Sequence, residues 1–170
     1  MTPADALPAG EAAGSRALFD YQSIDLSGCF SDAEQISKCN PHRGSMALLD
    51  RVIWASPDGG SRGLGVRHIR ADEFWCAGHF PGKPMYPGVL QIESGAQLAC
   101  YLYFYRKLGV GLSVFTRIEH ATFRSMVVPG DDLLLLCQDV KVSRKRFIVD
   151  VQGFVKDRVT FSARISGMIV

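Results

Sequence analysis

From Pro87 to Leu108 the chain reads P-G-V-L-Q-I-E-S-G-A-Q-L-A-C-Y-L-Y-F-Y-R-K-L, a helical stretch with no polar face. Pro87 suits a first-turn position, Arg106 and Lys107 complement the negative end of the helix dipole, and Gly109 can stop the helix. A helix that is apolar on nearly all sides has to be wrapped by other structure. The remaining sequence offers strands to do the wrapping. Residues 46–54 and 63–69 are strand-like and flank the turn Pro57-Asp58-Gly59-Gly60, which makes a hairpin. Residues 113–127, 133–142, 147–156 and 159–170 follow, separated by short turn sequences, and read as consecutive antiparallel strands. The expected architecture is α+β, a long central helix inside a curled antiparallel β-sheet. A length of 170 residues with 47% hydrophobic side chains suits one domain with a full core.

Its boundaries are expected at residues 31–170, with residues 1–30 an N-terminal extension that is partly disordered. Residues 1–16 are small and polar, with too little apolar area to offset the entropy of ordering. At Ser31-Asp32-Ala33-Glu34 the sequence offers a capping box, with Ser31 as the cap, for a short helix over about 32–39.

Charge and cysteine usage exclude several classes. Nineteen basic and seventeen acidic residues are spread through the chain, so no nucleic-acid footprint is expected. The five cysteines lie at wide spacings without a C-x-x-C, which reads as free thiols in a reducing compartment and points to the cytoplasm. The first fifteen residues carry Asp5 and Glu11 and no sustained apolar run, so no secretion signal is expected. Gln91, Glu93 and Gln97 interrupt the apolar helix, which argues against a membrane span. His68 and His120 fall in strands without ligand spacing; no metal and no cofactor are expected.

Between Ala71 and Tyr86 the chain is dense in Gly and Pro and forms a rigid irregular loop that holds His79. Fourteen positions later comes Glu93, in the second turn of a helix that otherwise rejects charge. Burying an unpaired carboxylate costs several kcal/mol unless it pairs or takes up a proton. A desolvated carboxyl can donate a proton while an imidazole accepts one, and those are the two roles needed to eliminate water from a 3-hydroxyacyl thioester. His79 is the expected base and Glu93 the expected acid. The N–H of Gly88, unpaired at the positive end of the helix dipole, suits the thioester oxygen, and such a donor is worth about 2.7–4 kcal/mol of barrier.

The segment G-H-F-P-G-K-P-x-x-P-G-V-L-Q-I-E-x-x-A-Q, residues 78–97, resembles the active-site signature of the 3-hydroxyacyl-acyl carrier protein dehydratases of type II fatty acid synthesis. Pro41-His42-Arg43 with Leu48-Leu49-Asp50-Arg51-Val52, and Phe123-Arg124 with Val127-Val128-Pro129-Gly130-Asp131, are similar to the same family, so that residues 36–168 are covered. The resemblance implies a hotdog fold and catalysis by His79 and Glu93 from opposite protomers of a homodimer, with a trimer of dimers left open. It further implies that Gly88 binds the thioester carbonyl, that the carbonyl of Met85 orients the imidazole, that Gln97 hydrogen-bonds near the acid, and that an acyl carrier protein delivers the substrate. Glu rather than Asp at position 93 resembles the branch that dehydrates without isomerising.

Departures from the pattern include Ser94-Gly95, where bulkier residues are usual; Gly95 is expected to widen the acyl tunnel. Two other readings stand beside dehydration: a non-catalytic hotdog subunit that binds acyl chains or a partner, and a hotdog acyl thioesterase. His42 is expected to anchor the turn at 41–44 and is left outside the site. The basic run from Lys141 to Arg146, with Lys83, Arg106, Lys107 and Arg124, supplies rival candidates for carrier docking.

Overall fold

The computed structural model describes residues 17–170. The expected disorder over residues 1–16 falls outside the described residues. In chain order the elements are α1 (Ala33–Cys39), β1 (Arg51–Ala55), β2 (Arg62–His68), α2 (Gly88–Tyr105), β3 (Ser113–Phe123), β4 (Asp132–Val142), β5 (Arg146–Val155) and β6 (Arg158–Ile169). A single 3-10 turn, Gly44–Met46, occupies the start of the first expected strand.

The strands form one antiparallel sheet in the order β1-β2-β4-β5-β6-β3. The β1–β2 hairpin and the run β4–β5–β6 match the expected consecutive pairing. β3 departs from it: it pairs with β6 at the far edge, and β4 returns to lie beside β2. The reason is α2, which follows β2 in sequence, packs on β2, β4, β5 and β6, and carries the chain across before β3 begins. The result is the hotdog arrangement, a long helix held in the curl of the sheet.

Alternation along β4 shows why its four leucines are all buried. Leu133, Leu135 and Cys137 face α2, where they meet Leu98, Tyr101 and Leu102 together with Val149, Val151, Phe161 and Ile165. Leu134 and Leu136 face the other way and join Ile53, Leu64, Val66 and Phe154 in a second cluster. Tyr21 closes that cluster, flanked by Leu18, Phe19 and Ile24, and the Leu18 N–H donates to Gln152 Oε1 at 3.0 Å. The described part of the extension is thus packed on the outer face of the sheet, because a sheet apolar on both faces has to be covered on both. Each fully buried leucine contributes about 1.5–3 kcal/mol.

Two local expectations change. The cap of α1 is Asp32, not Ser31: Asp32 Oδ1 accepts from Gln35 N at 2.8 Å and the Gln35 side chain accepts from Asp32 N at 2.9 Å. Ser31 is engaged elsewhere, its backbone bridging to Val52 and its hydroxyl bonded to Tyr101 Oη at 2.5 Å. Gly95 does not widen a tunnel. A Cβ there would lie 3.1 Å from Val151 Cβ, so the missing side chain lets α2 approach β5 closely. No described helix is long and apolar enough to cross a membrane.

Candidate active site

The loop that carries His79 is fastened at both ends to the β3–β4 connection: Ile69 N donates to Asp131 O at 3.0 Å, and Tyr86 N to Val127 O at 2.7 Å. Its base is an ion cluster around Arg67, which is only 4% exposed. The guanidinium meets Asp50 at 3.2 Å and Glu73, while Glu73 also accepts from Trp75 Nε1 at 3.1 Å and Arg70 N at 2.9 Å. Trp75 in turn packs against the Tyr86 ring, 5.3 Å between centroids. Tyr86 Oη bonds Ser94 Oγ at 2.9 Å, and this ties the loop to α2 one residue from Glu93. Burial raises the Tyr86 phenol above its ordinary value, so it stays protonated through neutral pH.

Within the loop, His79 N donates to Trp75 O at 2.9 Å and Met85 N donates to His79 O at 2.7 Å. The imidazole Nδ1 lies 2.7 Å from Met85 O. A carbonyl oxygen can only accept, so Nδ1 carries the proton of the neutral ring and Nε2 keeps its lone pair. The Phe80 ring stacks on the imidazole at 4.2 Å and 25°. His79 is thereby fixed in both orientation and tautomer.

Glu93 is partly buried, with 20% of its side chain exposed. Gln97, one turn on, is held in a single orientation: its Oε1 accepts from Leu48 N at 2.8 Å, and its Nε2 donates to Met46 O at 2.8 Å and Glu93 Oε1 at 2.9 Å. His42 Nε2 stands 3.3 Å from the same carboxylate oxygen. The sequence reading placed His42 outside the site; the structure sets it against the carboxyl. Arg43 does the turn-anchoring instead, donating to the carbonyls of Ser37, Asn40 and His42 at 2.7 Å each. Fifty-one positions separate His42 from Glu93, and no local pattern reveals such a contact.

Gly88 opens α2, so its N–H has no acceptor within the helix. The Phe123 ring lies against it, and a Cβ at Gly88 would meet that ring at 2.7 Å. Glu93 opens on a small cavity, about 40 Å³, lined also by His42, Ala96, Cys100, Phe115 and Phe147. His79 is not among its walls, and no hydrogen bond or ion pair joins His79 to Glu93 within one chain. Among the described residues, no group of three or more His, Cys, Asp or Glu is arranged to hold a metal ion.

Three comparisons relate the chain to known proteins. Residues 40–164 match a FabA-like domain. The chain is 36% identical over 128 residues to the 3-hydroxyacyl-[acyl-carrier-protein] dehydratase FabZ of Desulfotalea psychrophila, covering 74% of this chain and 84% of that protein. In fold it is similar to the dehydratase heterocomplex ApeI:P of Xenorhabdus doucetiae, with a TM-score of 0.68, 16% identity, and 83% and 92% of the two chains covered. It is similar also to a mutant thioesterase, PA1618, of Pseudomonas aeruginosa, with a TM-score of 0.60, 12% identity, and 83% and 95% covered. Both structural likenesses concern the fold alone. The matched domain spans every residue of the candidate site, from His42 through His79, Gly88 and Glu93 to Phe123, and by that match the chain belongs to the FabA-like family.

Proposed function

We propose that the protein dehydrates a 3-hydroxyacyl thioester carried on an acyl carrier protein to the trans-2-enoyl thioester. The observation that carries the reading is that the chain supplies both one imidazole whose Nε2 is left free by Met85 and one carboxyl whose second oxygen is left free by Gln97. His79 Nε2 takes the α-hydrogen and negative charge moves to the thioester oxygen, which the Gly88 N–H receives. Glu93 gives its proton to the 3-hydroxyl, the carbon–oxygen bond breaks, water leaves and the double bond forms. The relative from Desulfotalea psychrophila bears this activity in its name and covers most of the chain.

A homodimer completes the site in this reading. His79 and Glu93 of one chain do not meet, and among the described residues β3 is an edge strand that pairs only with β6. Phe115, Ile118 and Phe123 on that strand are about half exposed, which is unusual for large apolar side chains on a sheet edge and suits pairing with a second copy. The partner's base then faces this chain's acid.

Turnover of a 3-hydroxyacyl carrier thioester, followed by enoyl thioester absorbance, tests the assignment. His79→Ala and Glu93→Gln are each expected to lower kcat by at least about 100-fold. A fully active His79→Ala protein refutes it. Release of free thiol from the same substrate marks a thioesterase instead, and saturable binding without either signal marks an acyl-binding subunit.

A further inference from the structure

Glu93 shares its cavity with an imidazole that the proposed reaction does not use. His42 Nε2 lies 3.3 Å from Glu93 Oε1, just beyond hydrogen-bond range, and the two side chains are 27% and 20% exposed. The other ring nitrogen, Nδ1, is buried and has no partner among the described residues; His42 also lines a small pocket with Ile36, Ala47 and Leu49 and with the polar Ser37, Asn40 and Gln97. Among the described residues, the one polar contact of the ring is therefore at the Glu93 carboxyl.

We propose that His42 is a positioning residue for the acid. With its proton on Nε2, the ring presents an N–H to Glu93 Oε1, the oxygen that already accepts from Gln97 Nε2 at 2.9 Å. Two nitrogen donors on one oxygen leave Oε2 to carry the proton that is transferred, and they fix the direction in which it points. In the opposite tautomer the Nε2 lone pair would face the carboxyl oxygen, so the carboxyl itself favours the form that donates to it. His42 and Gln97 act from two sides: His42 from the segment after α1, Gln97 from α2 itself. Gln97 also bonds Leu48 N and Met46 O, so both supports draw on the same stretch, residues 42–48.

The inference rests on Glu93 being the proton donor, and its test separates the two. His42→Phe keeps the ring and removes the donor; His42→Gln returns an N–H near the Nε2 position. The Phe variant is expected to lose roughly 10- to 100-fold in kcat with KM little changed, and the Gln variant to recover most of that loss. Wild-type turnover in His42→Phe, with Glu93→Gln inactive, overturns the role of His42 and leaves the function standing. Equal losses in the Phe and Gln variants overturn it too, since packing alone then accounts for them. An active Glu93→Gln protein sinks the functional reading itself. Should His42→Phe fail to unfold cooperatively, His42→Ala takes its place: turnover restored by added imidazole supports the role, and turnover undiminished, or lost and not restored, overturns it.

Discussion

Gly88→Ala is expected to separate stability from turnover. The new Cβ would meet Cε1, Cζ and Cδ1 of Phe123 at 2.7, 2.9 and 3.0 Å, so the ring has to move. Phe123 is 49% exposed in the single chain and the contact is made by the far end of its side chain, so the ring can shift without disturbing the core of its own chain. Ala in place of Gly favours a helix by up to about 1 kcal/mol, and less in a first turn, so the two effects on stability nearly cancel and the net change stays within about 1 kcal/mol. Turnover has no such compensation. Ala keeps the N–H, but its methyl stands beside it and obstructs the approach of the thioester oxygen; a donor fully blocked costs as much as one removed, about 2.7–4 kcal/mol, or two to three powers of ten in kcat. Urea unfolding and enoyl thioester absorbance on the same preparation measure both quantities. A variant that turns over within about threefold of wild type refutes the Gly88 assignment. A variant destabilised by several kcal/mol refutes the mobility of the Phe123 ring.

Arg67→Met removes the cation from between Asp50 and Glu73. Breaking a buried pair costs about 3–5 kcal/mol, and here the lower end applies because Asp50 keeps Arg70 and His68 N while Glu73 keeps Trp75 Nε1 and Arg70 N; a urea midpoint unchanged from wild type contradicts this. Gln97→Leu strands the Leu48 N–H in a residue with no exposed surface and frees Glu93 Oε1, so stability falls by about 2–3 kcal/mol and kcat falls with it; loss of stability at full activity separates Gln97 from the acid. Burial, reinforced by the Glu93 charge, pushes the Cys100 thiol from 9.0 up to about 12. The unfolded chain releases that proton near pH 9 while the folded one holds it to about 12. Its contribution to stability is therefore complete below pH 9 and lost as pH rises from 9 to 12, by up to about 1.4 kcal/mol per pH unit. Cys100→Ala is expected to flatten the alkaline limb of stability against pH, and identical limbs count against the burial of this thiol.

The two contacts within the candidate site that the family resemblance implied, Met85 with His79 and Gln97 with Glu93, are present, and both are local in the chain. Met85 is six positions from His79 and Gln97 is four from Glu93, so a rigid Gly/Pro loop and one helical turn already bring each pair into contact. His42 was not legible in this way. It reaches Glu93 only because the segment before β1 folds back over α2, and a Pro-His-Arg turn looks the same whether its imidazole faces solvent or a carboxyl.

Local pattern, then, determined the apolar helix, the number of strands and the chemical identity of the imidazole and carboxyl, because periodicity and turn chemistry act over a few residues and are written in adjacent positions. Tertiary structure alone decided that β3 would cross to the far edge, that Gly95 would serve close packing and not an open tunnel, that residues 17–26 would cover the outer face of the sheet, and that His42 would meet Glu93. These are contacts between segments dozens of residues apart, set by which surfaces had to be buried together, and no single stretch of the chain contains both halves of such a contact.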